Sequence, residues 1–199
     1  MTYTGRTLGI GLMNGKPFTF YLLCSRSFPE RKAVIKGSTA YIINRTETDN
    51  PYVSYPVVRT NERYAVVTNG LHTDFIFQAL DWEKPRKALV HVLDAMDYER
   101  DAYDTPRIAG VIERGNKRGW LGFAGRGWLW VRELELKEGK AFVTATYNVD
   151  GFVELGLNNF SPARELASEV LKLPFEHKVL AIGVAENKDG WRIETTSNL

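Results

Sequence analysis

Three stretches of this chain carry residue types that could do chemistry. The first holds Glu99. Residues 85–103 place Leu89, Val92, Met96 and Tyr103 at spacings of three, four and seven, the pattern of one apolar helix face. Continued through residue 103, that helix sets Glu99 inside the apolar stripe. A carboxyl group held against apolar surface loses hydration of its charged form, so its pKa rises and it can exchange a proton near neutral pH. A structural ion pair with an arginine from a strand would bury the same residue.

The second stretch is "LLCSRSFPERK", residues 22–32, where an apolar strand breaks into Cys24-Ser25-Arg26-Ser27 and then Phe28-Pro29 and Arg31. No Gly-x-Ser-x-Gly elbow surrounds the hydroxyls, so Ser25 and Ser27 suit binding better than attack. Cys24 reads as a small core residue. Guanidinium forks at Arg26 and Arg31 suit a phosphate or carboxylate, or equally a solvated loop. The third stretch, "VVTNGLHTDF" at 66–75, reads as strand, glycine turn and helix start, where exposed N–H groups favour an anion. His72 within it reads as a packing or surface residue more readily than as a base. Tyr52 and Tyr55 are three apart, so a strand sends them to opposite faces.

The elements that must position these groups follow from local pattern. Asn14-Gly15 between apolar runs predicts a hairpin. "STAYIINR", "YVSYPVVRT", "YAVVTNG", "RIAGVIER", "RGWLGFAG", "GWLWVREL" and "KAFVTATYNV" read as strands, and "HTDFIFQAL" as a short helix. Pro85 opens the long helix, and Thr105-Pro106 is expected to end it. "SPARELASEVLKL" predicts a further helix, with Ser161 as N-cap and Pro162 at its first position. "KVLAIGVAEN" and "GWRIETT" predict a last hairpin around Lys188-Asp189-Gly190. Strands come in consecutive runs rather than alternating with helices, which argues for an α+β fold with largely antiparallel sheets.

Composition bounds the possibilities. The chain of 199 residues has a formal net charge of +2 and no long basic block, so charge does not argue for nucleic acid. A single cysteine allows no internal disulfide, and His72, His91 and His177 do not fall at zinc-ligand spacing. No apolar run reaches the roughly 20 residues of a membrane span, and the start lacks a secretory pattern. A soluble, cytoplasmic protein of one domain over residues 1–199 is expected, with no membrane partner. The tryptophan-rich strands suggest core or self-association.

Four blocks, "SRSFPER", "NPYVSY", "VVTNGLHTD" and "AMDYERDAYDTPRIAG", resemble the archaeal IMP cyclohydrolase family in sequence and order. The resemblance implies an α+β, N-terminal-nucleophile-hydrolase-like frame: a four-layer αββα sandwich of two mainly antiparallel sheets. It implies ring closure of a formamidoimidazole carboxamide ribonucleotide to IMP, with no cofactor and no metal. The functional residues it implies are Arg31, Tyr55 and Glu99, and it chooses Tyr55 over Tyr52. Ser25, Arg26, Asn69, Gly70, His72 and Arg107 are candidates for substrate binding, and a homo-oligomer such as a tetramer is expected. Two alternatives stand beside it: a nucleotide-binding protein without the chemistry, and an amide hydrolase using Cys24 after self-processing.

Overall fold

The computed structural model describes residues 2–46, 53–149, 151–157, 160 and 163–198. Its first six strands are β1 (Arg6–Met13), β2 (Lys16–Cys24), β3 (Arg31–Lys36), β4 (Thr39–Asn44), β5 (Tyr55–Thr60) and β6 (Tyr64–Thr68). Helices α1 (His72–Ala79) and α2 (Pro85–Met96) follow. Next come β7 (Arg107–Glu113), β8 (Arg118–Gly125), β9 (Trp128–Glu135), β10 (Lys140–Ala145) and β11 (Val153–Gly156). Helix α3 (Ala163–Leu171) precedes the hairpin of β12 (Lys178–Asn187) and β13 (Gly190–Ser197).

The strands form a six-stranded sheet, β11-β10-β1-β2-β12-β13, and a seven-stranded sheet in plain chain order, β3 to β9. Every pairing between these strands is antiparallel. Period-two alternation assigns the faces. In β2, Tyr21 and Leu23 join Leu8, Ile10, Val57, Val67, Ile108, Leu121 and Ile182 in the cluster between the sheets. Phe20 and Leu22 point the other way, onto Leu166, Ala167 and Val170 of α3. On the far side, Ile76 of α1 and Leu89 and Leu93 of α2 cover Val66, Ala109 and Val111. Each fully buried leucine of this kind contributes about 1.5–3 kcal/mol relative to exposure. Gly183 lets α3 lie directly on β12, because a Cβ there would sit 2.2 Å from the Ala163 carbonyl oxygen.

The α+β order, the Asn14-Gly15 turn and the last hairpin match expectation. Asn14 and Gly15 both take the positive φ that a tight hairpin needs. Strands β3 and β11 have no counterpart in the sequence reading. Both are sheet edges with largely exposed residues, and an edge strand that meets water on several sides carries little alternation. The larger correction concerns the long helix. It ends at Met96, not near Tyr103, and Asp97 turns into positive φ. Asp101 then accepts hydrogen bonds from the N–H groups of Tyr103 and Thr105 and from the Thr105 hydroxyl. Aspartates that bond their own neighbourhood compete with the helix and win here. Tyr103 is consequently exposed rather than part of an apolar stripe. Tyr52, Ser161 and Pro162 lie outside the described residues.

Candidate active site

Glu99 is only 1 % exposed, though no helix puts it there. It sits in the loop between α2 and β7, where its N–H donates to the Thr105 carbonyl at 2.8 Å in an isolated antiparallel bridge. That bridge aims the carboxylate at two guanidinium groups. Arg6, the first residue of β1, approaches Oε2 through Nη2 at 3.2 Å. Arg107, the first residue of β7, approaches Oε1 through Nη1 at 3.5 Å. Burial pushes the Glu99 carboxyl up to about 7, against the opposing charges of Arg6, Arg107 and Arg31 and with the help of Asp101.

Arg107 is fixed from behind. Its Nη1 lies 3.5 Å from His72 Nδ1, and His72 Nε2 lies 3.0 Å from the Ile108 carbonyl oxygen. A carbonyl only accepts, so Nε2 carries the proton and Nδ1 accepts from Arg107. Burial, then the Arg107 charge, pull His72 down to about 3, so the imidazole is neutral. Asn69 clasps the same strand end: its Nδ2 donates to the Pro106 carbonyl at 2.9 Å and its Oδ1 accepts from the Ile108 N–H at 2.8 Å. Gly70 is required by proximity. A Cβ on it would meet Glu99 Oε1 at 3.0 Å, Arg107 Nη1 at 3.2 Å and His72 Nδ1 at 3.3 Å.

The phenol side is equally dry. The hydroxyls of Tyr55 in β5 and Tyr21 in β2 lie 2.7 Å apart between the sheets. Burial raises the Tyr21 phenol well above its usual value, so it stays protonated. Arg31, 4 % exposed at the start of β3, donates through Nε to the Phe28 carbonyl at 3.3 Å, and its charge acts on both Glu99 and Tyr21. Glu99, Asn69, Gly70, His72 and Arg107 thus form one buried cluster, and Arg31 and Tyr55 are linked to it by the charge of Arg31 on Glu99 and of Tyr55 on Arg6.

Other sequence-selected residues sit differently. Ser25 Oγ accepts from the Phe28 N–H at 3.0 Å and closes the turn before Arg31. Arg26 is 58 % exposed, faces Glu176 at 3.4 Å and covers the Tyr3 ring at 4.3 Å. The 66–75 turn is not the open anion cradle expected. Gly70 N–H donates to Thr68 Oγ1 and Thr73 N–H to the Gly70 carbonyl, so threonine hydroxyls and local turns absorb those groups. Cys24 is fully buried beside Thr4, and burial pushes its thiol up to about 11, which suits a core residue. Arg6, Tyr21 and Tyr147 were missed. Their only sequence signal is a polar group inside an apolar strand or at its end, and what they touch lies far along the chain.

An open cleft of about 630 Å³ adjoins the enclosed region. Arg26, Ser27, Trp128, Trp130, Tyr147 and Asn148 are among its walls. Tyr147 links the two, since its hydroxyl lies 2.8 Å from Thr105 Oγ1 and Thr105 pairs with Glu99.

Fold and site together describe an α+β protein in which a buried carboxyl–guanidinium cluster adjoins an open, aromatic, cationic cleft. The family described as IMP cyclohydrolase-like protein matches residues 3–190, and the chain belongs to it. It is 71% identical to the IMP cyclohydrolase of Thermococcus kodakarensis over the whole of both chains. The IMP cyclohydrolase of Methanothrix thermoacetophila is 36% identical over 96% of each chain. That of Methanocaldococcus jannaschii is 37% identical over 97% of this chain and 98% of its own.

Proposed function

We propose that this protein is an IMP cyclohydrolase that closes the second ring of the purine from 5-formamidoimidazole-4-carboxamide ribonucleotide, releasing water. The observation that carries the chemistry is the nearly neutral-range carboxyl of Glu99 held between guanidinium groups. The carboxamide nitrogen is a poor nucleophile because its lone pair is delocalised. Its attack forms an N–C bond to the formyl carbon and moves the carbonyl π electrons onto oxygen. The proton lost by nitrogen goes to Glu99. Arg31 and the Tyr55 hydroxyl stabilise the oxygen as it gains charge. That oxygen is then protonated. Loss of the former formamide N–H proton, as the C–O bond breaks, releases water and leaves the aromatic ring. Because the reaction is intramolecular, holding one rotamer of the formamide supplies much of the rate.

The substrate's phosphate is assigned to the cleft wall at Arg26, where an exposed guanidinium meets a dianion with little desolvation. Residues 1–199 are read as one domain on an N-terminal-nucleophile-hydrolase-like frame, supported by the shared cluster between the sheets. Exposed Trp128 and Trp130 on the edge strand β9 support a homo-oligomer. Glu99→Gln tests the central claim. Followed by absorbance of IMP formation, turnover should fall about 10²- to 10⁴-fold while circular dichroism stays unchanged. Wild-type rates in that variant would remove Glu99 from the chemistry.

A further inference from the structure

The two guanidinium groups on Glu99 are not equivalent. Arg107 is braced by neutral His72, which is itself tied to Ile108. Arg6 is braced only through its backbone: its N–H donates to Thr146 Oγ1 at 3.1 Å, and its carbonyl accepts from the Thr146 N–H at 2.9 Å. Its side chain, 13 % exposed, spends Nη2 on Glu99. Its Nε, like that of Arg107, is buried without a hydrogen-bond partner. A buried guanidinium N–H left unpaired is costly. Arg6 also lies where the charges or dipoles of Tyr55, Tyr21 and Tyr147 act on it together with Glu99, so it bridges the phenol side and the carboxyl side.

We infer that Arg6 is a positioning residue of this site: it anchors one oxygen of Glu99 in the geometry and charge state that accept a proton. The inference rests on the reading of Glu99 as proton acceptor. It adds a residue from β1 to a site otherwise assembled from β3, β5, β7, α1 and the loops that flank α1 and α2. The groups facing Glu99 are Arg6 from β1, Arg107 from β7, Arg31 from β3 and Asp101 from its own loop, with His72 of α1 behind Arg107. Loss of the Arg6 charge favours the neutral carboxyl, and a base must be ionised to act.

Arg6→Gln and Arg6→Lys test this in the full chain. In Arg6→Gln the acid limb of the kcat/KM profile should move up by about one pH unit. In the same variant kcat at pH 7 should fall roughly tenfold or more, with KM changing less. Arg6→Lys should return the limb most of the way towards wild type. A wild-type profile in Arg6→Gln overturns the inference, as does a kcat loss with no movement of the limb. If Arg6→Gln does not fold, the Lys variant decides alone: its ammonium carries the same unit charge as a point rather than a planar fork, so the limb must sit measurably above wild type, by less than the shift expected for Gln. Carbon NMR of δ-13C-glutamate follows the Glu99 titration without turnover. It separates the two readings, because absence of IMP formation by the wild type defeats the function, whereas an unmoved Glu99 titration in Arg6→Gln defeats only the role of Arg6.

Discussion

Glu99 and Trp128 stand on two sides of one hydrogen-bonded seam, the contact of Thr105 with Tyr147, and differ in exposure to solvent. Glu99 is 1 % exposed, whereas Trp128 is 52 % exposed. In the enclosed region every cation has a carboxylate, ring nitrogen or backbone carbonyl within reach, and charges act on one another with little screening. In the cleft, Arg26 and Arg126 hold their ion pairs with Glu176 and Asp104 in solvent, where such pairs contribute little. The contrast fits the division of labour proposed above. Proton transfer gains from a dry, fixed setting, whereas capture of a charged nucleotide gains from cations that can exchange a surface partner for a phosphate at small cost.

The sharpest way to break that division is to disturb the dry side without touching a charge. Gly70→Ala puts a methyl group against Glu99 Oε1, Arg107 Nη1 and His72 Nδ1 at once. None can retreat freely, since each is hydrogen-bonded and buried. Displacing reacting groups by fractions of an ångström should lower kcat roughly 10- to 100-fold while KM stays within about threefold. Steady-state kinetics reads the split, and a change in KM alone would place Gly70 at the binding end instead.

A milder change on the wet side should give the opposite split. Arg26→Ala removes an exposed guanidinium from the cleft wall and leaves the enclosed region as it was. KM should rise roughly 3- to 30-fold with kcat nearly constant, the signature of lost uniform binding. An unchanged KM would take Arg26 out of phosphate recognition. Raised salt should narrow the difference between the variant and wild type.

The two regions also differ in how far the sequence betrayed them. Local signals were readable: Asn14-Gly15 for the hairpin, Pro85 for the start of α2, alternation for most inner strands. Glu99 was singled out for burial, and it is buried, but for a mistaken reason. The helical stripe ends at Met96, and the bridge to Thr105, with Asp101 organising the loop, does what the helix was expected to do. Arg6, Tyr21 and Tyr147 were not readable, because their meaning is set by partners 93, 34 and 42 positions away. Asn69 and His72 were readable as polar residues in a suggestive turn. Their work, bracing Arg107 on both sides, depends on the antiparallel pairing of β6 with β7.

The smallest expected effect is a near-absence, and it belongs to the dry side alone. The folded Glu99 carboxyl titrates at about 7 instead of 4.5, so between those values the folded state holds a proton that the unfolded chain has released. Stability from this source is complete below pH 4.5 and is lost as pH rises towards 7. His72 runs the other way. It titrates at about 3 when folded and 6.5 when unfolded, so its contribution is complete above pH 6.5 and is lost as pH falls towards 3. From pH 4.5 to 6.5 the two slopes, each up to about 1.4 kcal/mol per pH unit, oppose one another. Urea unfolding of the wild type across that window should therefore give a nearly flat stability, with a fall below it from His72 and a further fall between pH 6.5 and 7 from Glu99. Glu99→Gln removes one slope and leaves His72 unopposed, so its stability should climb with pH from 3 to 6.5. A wild type that already climbs there would show that Glu99 is ionised throughout, and its place as an acceptor poised near neutrality would be lost.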